Sequence, residues 1–174
     1  MRRAQLEALL RELGRVTGKR ELILIGSQCV HAATDSVPAE VLMSLEVDVL
    51  LDEADPASAR IDEELGPDSE FRAEHAVFAD TVPASFPFLP EGYELRLRVI
   101  QAGDLQARCL EVHDLALSKL AAGRLKDNEM VAALLAYRLA NVDTLRARIA
   151  AVADLHMRAI LLARLQLVLE NLDS

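Results

Sequence analysis

No tryptophan, two tyrosines and four phenylalanines occur among the 174 residues. The core must therefore be assembled from Leu, Ala, Val and Ile, a composition that favours helix-rich packing. Only seven glycines are present, and none stands in a G-x-x-x-x-G-K arrangement, so a P-loop is excluded. The two cysteines, Cys29 and Cys109, lack metal-ligand spacing. Both lie among apolar neighbours and are expected as buried free thiols. His31, His75, His113 and His156 show no mutual metal spacing either, and nothing pairs Ser27 with a base as a Ser-His-Asp triad requires. No run approaches the roughly 18 uncharged apolar residues of a membrane span. The first helical stretch places Leu6, Leu9, Leu10 and Leu13 between charges, unlike a signal peptide. A cytoplasmic protein with no membrane partner is expected. An excess of basic residues is also lacking. Lys and Arg number 19 against 28 Asp and Glu, for a net charge of −9. That excludes a broad electrostatic footprint on nucleic acid and leaves only a local contact.

What is present is a chain that is 52% hydrophobic, ordered and long enough for one domain with its own core. Helical spacing predicts a helix over residues 2–16, with Gly14 and Gly18 marking its end. Residues 21–25 form a short apolar run stopped by Gly26, as in a buried strand. After Ser27, residues 28–34 read as a short helix, and residues 35–40 as a loop. Residues 45–51 alternate as a second strand, and a helix is expected from the Asp55-Pro56 pair to about Leu65. A further strand is expected around residues 76–78. Pro83, Pro87, Pro90 and Gly92 mark a loop, and residues 93–100 alternate as a half-exposed strand. From Val112 the chain reads as helical, with Asp114, Asp127 and Asp143 as candidate N-caps, Gly123 ending the first helix, and a last helix over residues 156–172. The pattern predicts an α/β (α+β) fold. A sheet-bearing part over residues 1–111 precedes a helical part over residues 112–174 that packs on it, the two together forming one or two domains. Leu161, Leu162, Leu165, Leu169 and Leu172 give the last helix an apolar face, suited to packing on the body or to a homodimer.

The chemistry concentrates around two features. One is Gly26-Ser27 between a strand and a helix, where backbone N–H groups and a hydroxyl suit an anionic phosphate. The other is Glu46-x-Asp48. One residue apart on a strand, these carboxylates share a face and can converge on Mg²⁺, a hard ion held by one or two carboxylates plus substrate phosphates. The same spacing is also ordinary for two solvated acids on a sheet's outer face. His31 follows Ser27 by one α-helical turn and would face the same side, within reach of a base or phosphate.

The order Gly26-Ser27, then Ser44-x-Glu46-x-Asp48, resembles the nucleotidyltransferase superfamily. The helical stretch His113 to Leu120, Ala122-Gly123-Arg124 and Lys126-Asp127 resembles AbiEii-like toxins and related bacterial nucleotidyltransferase-like proteins. The resemblance spans most of residues 21–135. It implies a small mixed sheet flanked by helices. It also implies that Gly26 and Ser27 contact an NTP, that Glu46 and Asp48 hold Mg²⁺, that Lys119 neutralises phosphate charge, and that Asp127 orients the acceptor or acts as base. Arg124 would hold phosphate or pair with Asp127. A nucleotide would pass to an RNA or protein acceptor, with an antitoxin protein as a partner. The first metal acid is Glu instead of the commoner Asp, and Met43-Ser44 stands where many relatives carry Arg-x-Thr. A third carboxylate would be Asp80 or Glu94. A chain without one fits the alternative of a catalytically inactive binding or regulatory module on the same scaffold.

Overall fold

The computed structural model describes residues 1–38, 41 and 44–172. The last two residues of the expected loop 35–40, and Met43, lie outside the described residues. Helix α1, Arg3–Thr17, buries Leu6, Leu9, Leu10, Leu13 and Val16, the single face that the leucine spacing announces. Burying five such side chains supplies roughly 8–15 kcal/mol of gross apolar stabilisation, an upper bound before chain entropy is subtracted. Gly18 ends the helix in the left-handed conformation, with φ 68°. Gly14 lies inside it, where it lets the helix approach Leu105 of the sheet.

The sheet has five strands: β1 Glu21–Leu24, β2 Glu46–Leu50, β3 Phe78–Val82, β4 Arg98–Ala102 and β5 Leu105–Cys109. Their order is β3-β2-β1-β5-β4. β2 is antiparallel to β1, β3 is parallel to β2, β5 is parallel to β1, and β4 closes a hairpin on β5. The small mixed sheet flanked by helices is therefore the architecture expected. α1 and α2, Pro56–Leu65, pack together and against the sheet. Asp55 caps α2 by accepting from the Ala57 N–H, and Pro56 opens it. Beyond the sheet come α4 Val112–Ala122, α5 Leu125–Ala136, α6 Val142–Ala150 and α7 Leu155–Leu172. α4 packs against the 3₁₀ helix Ser27–Ala32 and against α5, α6 and α7. α7 buries Leu161, Leu165 and Val168, while Leu162, Leu167 and Leu172 stay exposed. Among the described residues no helix is long and apolar enough to cross a membrane. Cys29 and Cys109 are both buried free thiols.

Several expectations need correction. The strand expected around residues 76–78 begins at Phe78, and helix α3, Glu70–His75, precedes it. Ser69 caps that helix by accepting from the Arg72 N–H, a local signal that the neighbouring apolar run obscures. The strand expected over residues 93–100 is a 3₁₀ turn at Tyr93–Leu95 followed by β4, which starts only at Arg98. Here tertiary pairing overrides alternation: Arg96 turns to the buried carboxylate of Asp114, with Nε–Oδ2 at 2.7 Å. Asp114 is no cap. Glu111 caps α4 by accepting from the His113 N–H, and Asn141, not Asp143, caps α6. Fully buried Asp114 also receives Arg148 Nη1 at 2.7 Å, and Arg148 reaches Glu111 as well. The network ties the segment before β4 to α4 and α6. Asp127 sits at the third position of α5 rather than at its cap, and α5 ends at Ala136 rather than near Asn141.

Candidate active site

Three structural units meet at one pocket: the turn after β1, the acid-bearing face of β2 and β3, and the C-terminal end of α4. Ile25, following β1, donates its N–H to the Asp48 carbonyl at 3.1 Å, which clamps the turn against β2. Gly26 is extended, with φ −87° and ψ −170°, so any residue could adopt its backbone. Its need for glycine is steric, because a β-carbon there would overlap the Asp48 carboxylate. The sequence thus builds a cradle in which an acid lies directly on a bare backbone. Ser27 follows at the start of the 3₁₀ helix, partly buried, 3.4 Å from Gln28 Nε2. Gln28 in turn donates to the Ser44 carbonyl at 3.0 Å, tying the turn to the segment that leads into β2.

On β2, Val47 and Val49 are buried and Glu46 and Asp48 point to the other face, as alternation requires. The parallel register sets Asp48 beside Asp80 and Glu46 beside Phe78. Asp80 therefore stands on the same face as the pair. Among the described residues, none of the three carboxylates has a hydrogen-bond or ion-pair partner. Burial, then the Glu46 charge and more weakly that of Asp80, push the Asp48 carboxyl up to about 6, against the opposing pull of Lys119 and Lys126.

The cations come from α4 and the turn beyond it. Gly123 takes a left-handed φ of 67° and stops α4, so that Arg124 leads directly into α5. Lys119 Nζ lies 3.4 Å from Asp127, whose side chain is almost wholly buried. Arg124 grips Asp127 with both ends of its guanidinium, Nε–Oδ2 at 2.6 Å and Nη2–Oδ1 at 3.2 Å. Burial opposes the charge on Asp127, but the Arg124 hydrogen bond and the Lys119 charge outweigh it and hold the carboxyl below the ordinary range. Asp127 is in this way the fixed centre that orients two cations. Lys126, exposed and without an ion pair among the described residues, adds a third positive charge close enough to act on Asp48.

Gly26, Asp48, Lys119 and Arg124 line one cavity of about 380 Å³, within the usual range for small-molecule sites. Glu46 acts on it through its charge on Asp48 and Arg124, and Asp127 through its bonds to Lys119 and Arg124. Ser27 neighbours the cavity without its side chain lining it. His31 stands apart. It is buried, with Nε2 3.1 Å from the Met1 carbonyl, and among the described residues Nδ1 has no hydrogen-bond partner. The reason is helical pitch. In a 3₁₀ helix the fourth residue on is about 120° around the axis, against about 40° in an α-helix, so His31 turns away from the face that Ser27 shares. Glu94 is exposed in the 3₁₀ turn and is not among the cavity's lining residues.

Lys126 entered only through the Lys126-Asp127 pair of the resemblance, with no role of its own, and the apolar walls of the cavity, Val82, Phe86, Phe88 and Met157, carry no signal in the sequence. Asp80 appeared there as one of two candidates for a third acid. The signal for it is alternation: with Val77 and Ala79 buried, Asp80 must face outward beside Asp48, once the strand is placed at Phe78–Val82.

The donors fit Mg²⁺ in kind. All are hard carboxylate oxygens on one face, and a divalent cation would offset both the burial and the neighbouring negative charge that raise Asp48. Among the described residues no group of three or more His, Cys, Asp or Glu side chains could hold a metal unaided.

Comparison with curated proteins and with solved structures gave no match. A family profile does match, over residues 4–164, from α1 into α7 and across every element of the cavity. This chain belongs to the family described as nucleotidyltransferases of unknown function (DUF6036).

Proposed function

We propose that this chain is a Mg²⁺-dependent enzyme that transfers a nucleotide from an NTP to an RNA or protein acceptor. The observation that carries the reading is Asp48, flanked by Glu46 and Asp80 on one face of the sheet and lining one cavity with Gly26, Lys119 and Arg124. Glu46 and Asp48 would hold Mg²⁺. When bound, the ion would neutralise phosphate charge and polarise the phosphoryl group as a Lewis acid. Asp80, beside Asp48, is suited to orient the acceptor hydroxyl and to take its proton. Lys119, Arg124 and Lys126 stabilise the charge that spreads over phosphate oxygens as the bond to the leaving pyrophosphate breaks. Asp127 is a positioning residue, since its low proton affinity and two cationic partners leave it poorly suited as a base. The Gly26-Ser27 turn supplies backbone N–H groups for the triphosphate.

A toxin role, in the manner of AbiEii-like proteins, and a cytoplasmic setting belong to the same proposal. With a net charge of −9, a local contact with an RNA end suits this chain better than a long RNA footprint. An antitoxin or a second copy of the chain would find exposed leucines, Leu162 and Leu167, on α7. Isothermal titration with Mg²⁺ and each NTP, repeated on Glu46→Ala/Asp48→Ala, tests the core of the reading. Binding that disappears with the pair supports it. An intact chain that binds no NTP rules it out in favour of a non-enzymatic module. A transfer assay with labelled NTPs on total RNA and cell lysate then identifies the acceptor.

A further inference from the structure

The cavity has two kinds of wall. On the acid-bearing face the strand register sets Asp48 beside Asp80, and then Leu50 beside Val82. At about 3.3 Å per residue, the Leu50–Val82 row lies roughly 7 Å beyond the carboxylates along the strands. From there the chain leaves β3 through Pro83 and brings Phe86, Pro87 and Phe88 to the same cavity. α4 and α7 contribute Ala121, Ala122 and Met157. The charged liners, Asp48, Lys119 and Arg124, are thus joined to a slot walled by rings, a thioether and small side chains.

Phe86 is the unusual member. It is 79% exposed in a chain with only four phenylalanines, and among the described residues its ring has no aromatic or cationic partner. A ring left in water contributes little to folding. At the mouth of a charged cavity it is instead a free stacking surface of the sort a planar base requires. Apart from the three charged groups, the only side-chain hydroxyl among the liners is that of Ser118. Strong discrimination between bases that differ in their hydrogen-bonding edges needs donors and acceptors aimed at those edges. A wall of rings and methyl groups reads area instead.

Building on the nucleotidyltransferase reading, we propose that Phe86, with Phe88 and Met157, holds the nucleobase of the NTP by stacking. The site thereby selects purine over pyrimidine nucleotides with little distinction between adenine and guanine. The triphosphate then extends back toward Lys119 and Arg124.

The test is isothermal titration of the full chain with Mg²⁺ and, in turn, ATP, GTP, CTP, UTP and inorganic tripolyphosphate, on the parent, Phe86→Ala and Phe86→Trp. Phe86 is exposed, so both variants should fold, and a thermal melt checks this. ATP and GTP should bind within about threefold of each other and more tightly than CTP and UTP. Phe86→Ala should weaken ATP and GTP roughly tenfold, the scale of one lost stacking partner, and leave tripolyphosphate unchanged; Phe86→Trp should restore the purine affinity. The stacking role is overturned if Phe86→Ala leaves ATP and GTP unaffected, or weakens tripolyphosphate as much as the nucleotides. In either case, retained Mg²⁺-dependent NTP binding would leave the nucleotidyltransferase reading standing. An intact chain that binds neither nucleotide nor tripolyphosphate would overturn both.

Discussion

Removing the charge of Asp48 should stabilise the protein while disabling its site. The Asp48 carboxyl is raised from an ordinary 3.8 to about 6 in the fold, chiefly by burial and the neighbouring Glu46. A folded value above the unfolded one means that the native state holds the proton more tightly across that window. Stability therefore falls as pH rises from about 3.8 to about 6, and the loss is complete above it. A shift of two pH units is worth about 3 kcal/mol. Because Asp48 lines an open cavity, solvent screening reduces this to roughly 1–2 kcal/mol. Asp48→Asn keeps the shape and deletes the charge. At pH 7.5 in EDTA the variant should be more stable by that amount, raising Tm by about 3–6 °C in a chain of this size. At pH 4.5 about a third of the gain should persist, because the unfolded carboxyl is then still largely ionised while the native one is not. Differential scanning calorimetry at both pH values measures this. Adding Mg²⁺ with ATP should stabilise the parent and not the variant, closing or reversing the gap. Equal destabilisation of Asp48→Asn at both pH values, or a gain indifferent to pH, would show that the carboxylate is not under electrostatic stress.

Gly26→Ala should cost about 1–3 kcal/mol in urea unfolding, because its β-carbon overlaps the Asp48 carboxylate. Combining it with Asp48→Ala should recover most of that cost, and simple additivity in the double-mutant cycle would contradict the contact. Asp114→Ala should destabilise by about 3 kcal/mol, since it leaves Arg96 and Arg148 facing an empty buried position. Glu111 is partly buried, which disfavours its charge, but the His113 and Arg148 hydrogen bonds and charges prevail and hold its carboxyl near 2. Its folded value being depressed, its contribution is present above about pH 4.5 and is lost as pH falls toward 2. A Glu111→Gln variant should therefore lose its disadvantage in acid melts. Gly123→Ala should cost about 1–2 kcal/mol in the same unfolding assay, from the left-handed backbone and from crowding of the Arg164 guanidinium, which donates to the Leu120 and Ala121 carbonyls.

Local rules sufficed wherever an element's signal lies within itself. The leucine spacing of α1, the Val47–Val49 alternation that turns Glu46 and Asp48 outward, the Asp55-Pro56 start of α2 and the Gly123 stop of α4 are all short-range consequences of side-chain period and capping. Alternation and the turn after β1 pointed to Gly26 and Asp48, while Lys119 and Arg124 were implied only by the family resemblance; all four line one cavity. What needed the tertiary structure was every property set by a partner distant in the chain. The parallel pairing of β2 with β3 decides that Asp80 rather than Glu94 neighbours Asp48, because register is fixed across strands and not along one. The buried charge of Asp114 draws Arg96 out of an apparent strand, and the tighter 3₁₀ pitch carries His31 away from Ser27. The base-sized apolar wall joins a proline-rich loop to Met157 some seventy residues later, a closeness that no periodicity encodes.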